Sequence, residues 1–433
     1  MTLMIDSKVC LVFIYGKTHR YGTNVLIGYL ETLPQIIKYV DIYVVKPDEI
    51  HLLSTLARKY RLRVVAYSLL TTYVAENLNE VLKVVETSRR LGYLSIAGGP
   101  HPSGDPLGTL KSLKFDYCII GEGEEPLVEF ISNLISGNDI LSTKGLAYLD
   151  NDKLVVNTKF KVKDLDNYPP FAERSGLFNP IEISRGCIYA CKFCQVSYIF
   201  SSNVRHRSIE NIVKYARKLV KRGIRDVRFI SPDSFGYGSR GKWYPEKVIE
   251  LINELQRVRN EGGRVFLGTF PSEVRPEHVS EELVRELVGK VDNKRVIVGA
   301  QTGSEKLLKV LNRGHTPEDV INAVEILRKY GFRVDVDYIF GLPSEDEEDV
   351  ELTLNHMRKV VTLGGRVHAH VFLPLPGTPL ARAPPGRIPV KVRKFMYKLL
   401  GRGFLYGQWE RQERLAQMIA KLRSDGIILP RVT

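Results

Sequence analysis

The chain has 433 residues, 44% of them hydrophobic, and 63 Lys and Arg against 49 Asp and Glu give it a formal net charge of +14. That length exceeds one ordinary domain of ~100–200 residues and predicts two or three, each with a sizeable core. No stretch approaches the ~20 uninterrupted apolar residues of a membrane helix, and Met1 to Cys10 carries Asp6 and lacks the basic-then-apolar order of a signal peptide, so a cytoplasmic location with no membrane partner is expected.

The basic balance has two readings. One is an anionic partner, such as nucleic acid or a phosphate-bearing substrate, drawn by the surface potential. The other is a heat-adapted, thermophile-like surface, rich in Lys, Arg and Glu and poor in Met and Cys. Five cysteines do not make a disulfide framework in a chain this long, and three of them, Cys187, Cys191 and Cys194, crowd into eight residues, which points to metal or cluster ligation. Cys10 and Cys118 lie in apolar runs that read as strands, where a thiol behaves as a small hydrophobe.

From Val9 to Ser136, β-branched runs alternate with helical patterns such as Val74–Arg90. Strands are predicted at Val9–Tyr15, Asp41–Val45, Arg63–Ser68, Tyr93–Ala97 and Tyr117–Ile120. Repeated βα units predict an α/β, doubly wound parallel (Rossmann-like) sheet over residues 1–136, with ligands at the carboxyl ends of its strands. Residues 137–180 break the pattern and read as an interdomain linker, with a hairpin around Asp150-Asn151-Asp152 and a turn-rich Asp166–Pro170.

A second βα series has predicted strands at Ile181–Ser184, Asp226–Ile230, Arg264–Gly268, Arg295–Ala300, Arg333–Phe340 and Arg366–Phe372. Six parallel strands with outer helices predict a partial (β/α)6 TIM-type barrel over residues 181–385, with its chemistry in the carboxyl-end loops. One helix start is marked by Thr316 as N-cap, Pro317 at the first helical position and Glu318 and Asp319 in the first turn, with Gly331 closing the helix. Alternation puts His368 and His370 on one face of the last strand, turned either to the lumen or to the outer helices. Residues 386–433 read as a helical C-terminal extension. Ala381 to Gln408 holds seven Arg or Lys and no acid, interleaved with aromatics, which fits a nucleic-acid or anionic-substrate surface or the solvated face of a closing helix.

The first barrel strand runs into Glu182-Ile-Ser-Arg-Gly-Cys187-Ile-Tyr-Ala-Cys191-Lys-Phe-Cys194. Three thiolates at C-x3-C-x2-C ligate three irons of a cubane and leave the fourth without a protein ligand. A zinc site is the poorer reading, because such sites usually show paired C-x2-C spacing. The motif, with aromatic Phe193 before its last cysteine, resembles the radical S-adenosylmethionine (SAM) superfamily, and the resemblance runs from about Ile181 to Leu380. It implies a [4Fe-4S] cluster whose open iron holds SAM for reductive cleavage to a 5′-deoxyadenosyl radical, with a reductant such as a ferredoxin or flavodoxin as partner. It also implies SAM contacts from Phe193, from Asp233 in Ser231-Pro232-Asp233 where the family usually has Gly-Gly-Glu, from Ser272 and Glu273 after the third strand, and from Gln301 after the fourth.

Three pieces of the first domain, Ser68-Leu69-Leu70, Gly98-Gly99-Pro100-His101 and Gly121-Glu122-Gly123, follow its third, fourth and fifth strands. Their order and spacing resemble the cobalamin (vitamin B12)-binding domain fused to many radical SAM enzymes. The resemblance implies cobalamin contacts from Ser68, Leu70, Gly98, Gly99, Pro100, His101, Gly121, Glu122 and Gly123, the glycines allowing close approach of the backbone. His19, in Lys17-Thr18-His19-Arg20-Tyr21-Gly22, stands where some of these domains carry the lower cobalt ligand, in a motif that here lacks its orienting carboxylate. It reads as that ligand or as a surface or phosphate-contacting loop histidine.

The expected function is a B12-dependent radical SAM enzyme transferring a methyl group to an unactivated centre of an unknown substrate, the basic balance allowing an anionic one. Alternatives are other radical SAM chemistry, including an RNA methylthiotransferase to which Gln301–Glu305 and Asn312–Thr316 are similar, and a non-catalytic cobalamin- or cluster-binding sensor that docks on nucleic acid.

Overall fold

The computed structural model describes residues 8–431, so most of the segment on which the leader reading rests lies outside the described residues. In the first domain, β1 (Val9–Ile14) is buried along its whole length and pairs in parallel with β2 (Val40–Val45) and β3 (Leu62–Ser68). Next come β4 (Leu94–Gly98) and β5 (Tyr117–Ile119), giving a parallel order β2-β1-β3-β4-β5. Alternate residues of β1 enter opposite cores, Val9, Leu11 and Phe13 on one face and Cys10, Val12 and Ile14 on the other. This two-sided burial is what a doubly wound sheet requires. Cys10 and Cys118 are core residues of the same face, and burial pushes the Cys10 thiol up to about 11. The Val74–Arg90 pattern is split into two helices, Thr71–Glu76 and Leu78–Arg90, at Asn77.

Residues 137–180 are not simply a linker. β6 (Leu146–Asp150) and β7 (Lys153–Val156) form the expected hairpin, but β6 pairs antiparallel with β5, so the hairpin extends the first sheet to seven strands. Asn151 and Asp152, at φ +47° and +63°, make the two-residue turn with left-handed backbone that matches strand twist. The sheet edge left by β5 is thereby covered.

Two short segments, β8 (Ile181–Glu182) and β9 (Ser184–Arg185), open the second domain, and β9 pairs antiparallel with β10 (Arg205–His206). β8 pairs in parallel with β11 (Asp226–Ile230), and β11 with β12 (Arg264–Phe266). β13 (Arg295–Gln301), β14 (Arg333–Phe340) and β15 (Arg366–Val371) continue the parallel run, bridged to it at Val274 and Val298. The helix Pro317–Lys329 starts on a reciprocal capping box between Thr316 and Asp319.

The C-terminal extension is only partly helical. Between helices Val390–Gly401 and Trp409–Ser424, β16 (Leu405–Tyr406) pairs in parallel with β15 and adds a strand to the barrel sheet. No strand pairing joins β16 to β8 among the described residues, so the barrel stays open. The last helix returns to the first domain: Leu415, Ile419 and Ile428 bury against Ala75, and Arg411 pairs with Glu76. Within the basic stretch, Lys391 and Arg393 pair with Glu351 and Glu413, as a solvated helix face would. No described helix is long and apolar enough to cross a membrane.

Candidate functional site

The cysteine loop leaves β9 through Gly186, whose φ of +87° and close approach to the carbonyl of Asn203 leave no room for a side chain. Cys194 N–H then closes on the Cys191 carbonyl at 2.9 Å. Ser197 Oγ donates to the Cys187 carbonyl at 2.6 Å, and Tyr198 Oη to that of Ala190 at 2.9 Å. All three thiols are free of disulfides. Burial, and then the neighbouring cysteines, push the Cys194 thiol up to about 12, and burial raises Cys187 too. Three soft sulfur donors on one loop, Cys187 and Cys194 held at such cost in thiolate stability, fit a cluster that compensates their charge. A protein cation is already placed there: Arg313 Nη1 donates to Cys191 Sγ at 3.7 Å while its Nη2 donates to the Gly299 carbonyl at 2.7 Å.

A cleft of about 380 Å³, open to solvent, runs from Cys187 and Tyr189 to Asp233 and His278. Asp233 lines it, with its carboxylate taken by His278 Nδ1 at 2.5 Å and by the Arg275 N–H at 3.2 Å. Ser272 is turned away: its hydroxyl donates to the Phe229 carbonyl at 2.9 Å and accepts the Ser231 N–H at 2.8 Å. Both bonds tie the second barrel strand to the third. Phe193 packs beside Leu311, Leu342 and Phe372 and anchors the loop to the barrel. Gln301, at φ +69° on a bulge of β13, converges with Glu273 and Arg313 above the Cα of Gly299. Burial, and then the Asp337 carboxylate, push the Glu273 carboxyl well above its ordinary range.

The loops after β4 and β5 approach the cysteine loop and the helix after it, through Pro100 at Gln195 and Gly121 at Ile199. A Cβ on Gly98 would meet nothing within 4 Å, and one on Gly121 only the Ile199 carbonyl at 3.7 Å, so backbone lines open space there. Next to Gly98, Gly99 has φ +95° and a Cβ there would lie 3.0 Å from Ser68 Oγ, while Leu70 caps the helix Thr71–Glu76. Glycine-lined room at strand ends fits a bulky cofactor tail such as that of cobalamin. Pro100 starts the helix Pro100–Gly104, and Gly123 lies against Leu26. His101 is buried, with Nδ1 3.1 Å from Thr71 Oγ1. His19 is buried too, so its surface reading fails: it packs edge-on against Tyr67 and Tyr73, Thr18 Oγ1 lies 3.1 Å from Nε2, and Nδ1 has no partner. Burial lowers its pKa to about 4, which keeps the imidazole neutral, as a metal ligand must be.

The Glu122 side chain is held within the protein. Its carboxylate, 2% exposed, binds Arg185 at 3.0 Å, Arg205 at 2.7 Å and the Val162 N–H at 2.8 Å, leaving none of its oxygens for a ligand. Arg185 in turn reaches Glu124 at 2.8 Å and Glu182 at 2.7 Å. Beside this network, Gln195 Nε2 donates to the carbonyls of Pro100 at 3.3 Å and Pro376 at 2.8 Å. The residue after the last cysteine thus touches the Gly98–His101 loop. Neither Gln195 nor Arg185 stands out in sequence; Arg313 lies within Asn312–Thr316, yet only the fold brings it to the cysteines.

Residues 181–357 match the radical SAM superfamily and residues 7–131 the B12 binding domain. The chain is a radical SAM enzyme with a B12-binding domain; such enzymes use a [4Fe-4S] cluster and SAM, and the first domain is the one that implies cobalamin. It is 25% identical over 319 residues to a putative methylthiotransferase of Methanocaldococcus jannaschii, covering 71% of this chain and 68% of the relative. It is 26% identical over 345 residues to an uncharacterized methyltransferase of Pyrococcus horikoshii, covering 76% and 66%. The chain thus spans about two thirds of the length of these relatives. The radical SAM methyltransferase TsrM of Kitasatospora setae, with cobalamin and a [4Fe-4S] cluster bound, shares the fold with a TM-score of 0.68 at 20% identity, covering 84% of this chain and 72% of that one.

Proposed function

We propose that this protein is a cobalamin-dependent radical SAM methyltransferase acting on an unactivated centre. The observation that carries the reading is the Gln195 contact, which sets the cysteine loop directly against the glycine-lined strand ends of the first domain. When bound, the cluster would supply the electron that cleaves SAM and cobalamin would supply the methyl group. The chain's own residues do the rest. Cys187, Cys191 and Cys194 hold the cluster, with Arg313 compensating its charge. Asp233, Glu273, Gln301 and Phe193 border the space for SAM. Ser68, Leu70, Gly98, Gly99, Pro100, Gly121 and Gly123 border the space for cobalamin, and His19 serves as a lower-ligand candidate. The lumen beyond Gln301 receives the substrate, and an external reductant such as a ferredoxin or flavodoxin supplies electrons.

A methylthiotransferase is supported by the relative from Methanocaldococcus jannaschii, but such an enzyme needs a second cluster. Cys10 and Cys118 are wholly buried in the sheet core and offer it no ligands. The test is anaerobic reconstitution with iron, sulfide and hydroxocobalamin, followed by methyl-labelled SAM and a reductant. About four irons and one cobalt per chain, 5′-deoxyadenosine release and label on cobalamin support the proposal. Iron without cobalt overturns its B12 half, and intact SAM in the loaded, reduced protein favours a non-catalytic sensor that docks on nucleic acid.

A further inference from the structure

We infer that Asp337, His368 and His370 form a second metal site, for one divalent transition-metal ion of the zinc or ferrous type, on the lumen face of the barrel. The strand pattern fixes which face this is. Val367, Ala369 and Val371 of β15, with Val334, Val336 and Tyr338 of β14, enter the core under the outer helices, so the alternate residues Asp337, His368 and His370 turn inward. His368 and His370 keep 24% and 27% of their side chains exposed, so the lumen reaches them.

Three donor atoms converge on one point. His368 Nδ1 lies 2.8 Å from Asp337 Oδ1 and 3.1 Å from His370 Nε2, and His370 Nε2 lies 3.8 Å from Asp337 Oδ1. Around an ion with metal–ligand bonds of ~2.0–2.2 Å, neighbouring donors sit ~3–3.5 Å apart, close to this triangle.

Protons alone satisfy the arrangement poorly. The Val371 N–H holds Gln412 Oε1 at 2.8 Å, so the Gln412 amide nitrogen, 3.2 Å from His370 Nδ1, donates to it, and a neutral His370 carries its proton on Nε2. That proton meets His368 Nδ1 at 3.1 Å and has the Asp337 carboxylate as its acceptor only at 3.8 Å. If His368 Nδ1 is also protonated, to serve the Asp337 carboxylate, two N–H groups face each other. If it is not, its lone pair faces the carboxylate at 2.8 Å. A cation bound by all three atoms removes both conflicts, with the His370 proton moved to Nδ1 and Gln412 Oε1 shifted to accept it together with the Val371 N–H. Two imidazoles and one carboxylate suit zinc or ferrous iron and leave coordination positions open toward the lumen. Those positions would take an oxygen or nitrogen donor of the substrate. Tyr406, stacked on His368 at 4.2 Å between ring centres with an interplanar angle of 4°, fixes that ring.

The site does not rest on methyl transfer, because its test reads metal retention without turnover. Protein loaded with cluster and cobalamin is titrated anaerobically with Zn²⁺, desalted, and analysed for zinc, iron and cobalt. One zinc per chain with iron unchanged is expected, with affinity at least tenfold lower in His368→Ala and Asp337→Asn. Gln412→Glu gives His370 Nδ1–H a carboxylate partner and keeps an acceptor for Val371, so it should tighten zinc binding by about tenfold or more. No zinc in the wild type, zinc unaffected by His368→Ala, or zinc gained at the expense of iron overturns the site. Should His368→Ala and Asp337→Asn lose the cluster, Gln412→Glu decides: unchanged affinity overturns the proposal.

Discussion

Glu122 and Arg185 belong to different domains and are 63 residues apart, yet their side chains meet at 3.0 Å with 2% and 7% of each exposed. Arg185 stands two residues before Cys187, and Glu122 follows the strand-end glycine Gly121. The ion pair therefore ties the cysteine loop to the face of the first domain that carries the glycine-lined space. Arg205 shares the same carboxylate oxygen, so two buried guanidiniums depend on it.

Breaking a buried pair from one side leaves uncompensated charge and costs about 3–5 kcal/mol. Glu122→Gln is expected to lower the stability of the loaded protein by that order and to loosen cobalt and iron retention together, since both loops lose their common tie. Urea denaturation and metal analysis check this. A loss below about 1 kcal/mol, the range of exposed pairs, would mean that Arg185 is held well enough by Glu124 and Glu182.

Arg313 is the one cation with a guanidinium nitrogen in hydrogen-bond reach of a motif sulfur among the contacts described, 3.7 Å from Cys191 Sγ. Charge-assisted donors to cluster sulfur stabilise the reduced, more negative state. Arg313→Met is therefore expected to keep iron at loading but to move the cluster's reduction potential downward and slow SAM cleavage at a fixed reductant potential. Arg313→Lys should recover part of the shift. A spectroelectrochemical titration giving the same potential for all three proteins would remove Arg313 from this role.

Much of this architecture was legible in the sequence because burial on both faces forces continuous β-branched runs. Asp226–Ile230 and Arg333–Phe340 begin and end where the periodicity puts them. β16 escaped because Leu405–Tyr406 is a two-residue strand inside a helical pattern, recruited only by the open edge of β15. The Asn151-Asp152 turn was readable but not the sheet edge it serves. Side-chain direction was the larger gap. The family resemblance implicated Ser272, His101 and Glu122, yet each side chain turns to a protein partner, on the neighbouring strands, Thr71 and Arg185 respectively. The 122 residues between Arg313 and Cys191 hide a contact that only barrel curvature makes.

Gly98 offers a substitution that separates folding from binding. Its φ is not in the left-handed region and a Cβ there meets nothing within 4 Å, so Gly98→Val should fold with little change in melting temperature while filling space proposed for cobalamin. Retained iron with cobalt reduced at least tenfold is expected on desalting. Gly99→Val is the contrast: φ is +95° and a Cβ would lie 3.0 Å from Ser68 Oγ and 3.1 Å from the Leu69 carbonyl, so stability itself should fall. Full cobalt retention by Gly98→Val would move cobalamin away from this loop.

His101 gives the chain a defined acid sensitivity. Burial lowers its pKa from an ordinary 6.5 to about 3, so the folded protein keeps it neutral where the unfolded chain takes up a proton. Stability contributed by this group is complete above pH 6.5 and is lost as pH falls from there toward 3, at ~1.4 kcal/mol per pH unit. Between pH 7 and pH 5 the wild type should lose about 2 kcal/mol through His101, on top of what other groups contribute. In His101→Phe that component vanishes, though the variant starts lower because the bond to Thr71 is gone. Urea midpoints of both proteins at the two pH values check it: a wild type and variant that lose stability in parallel would show that the unfolded state gains no proton at this position relative to the fold.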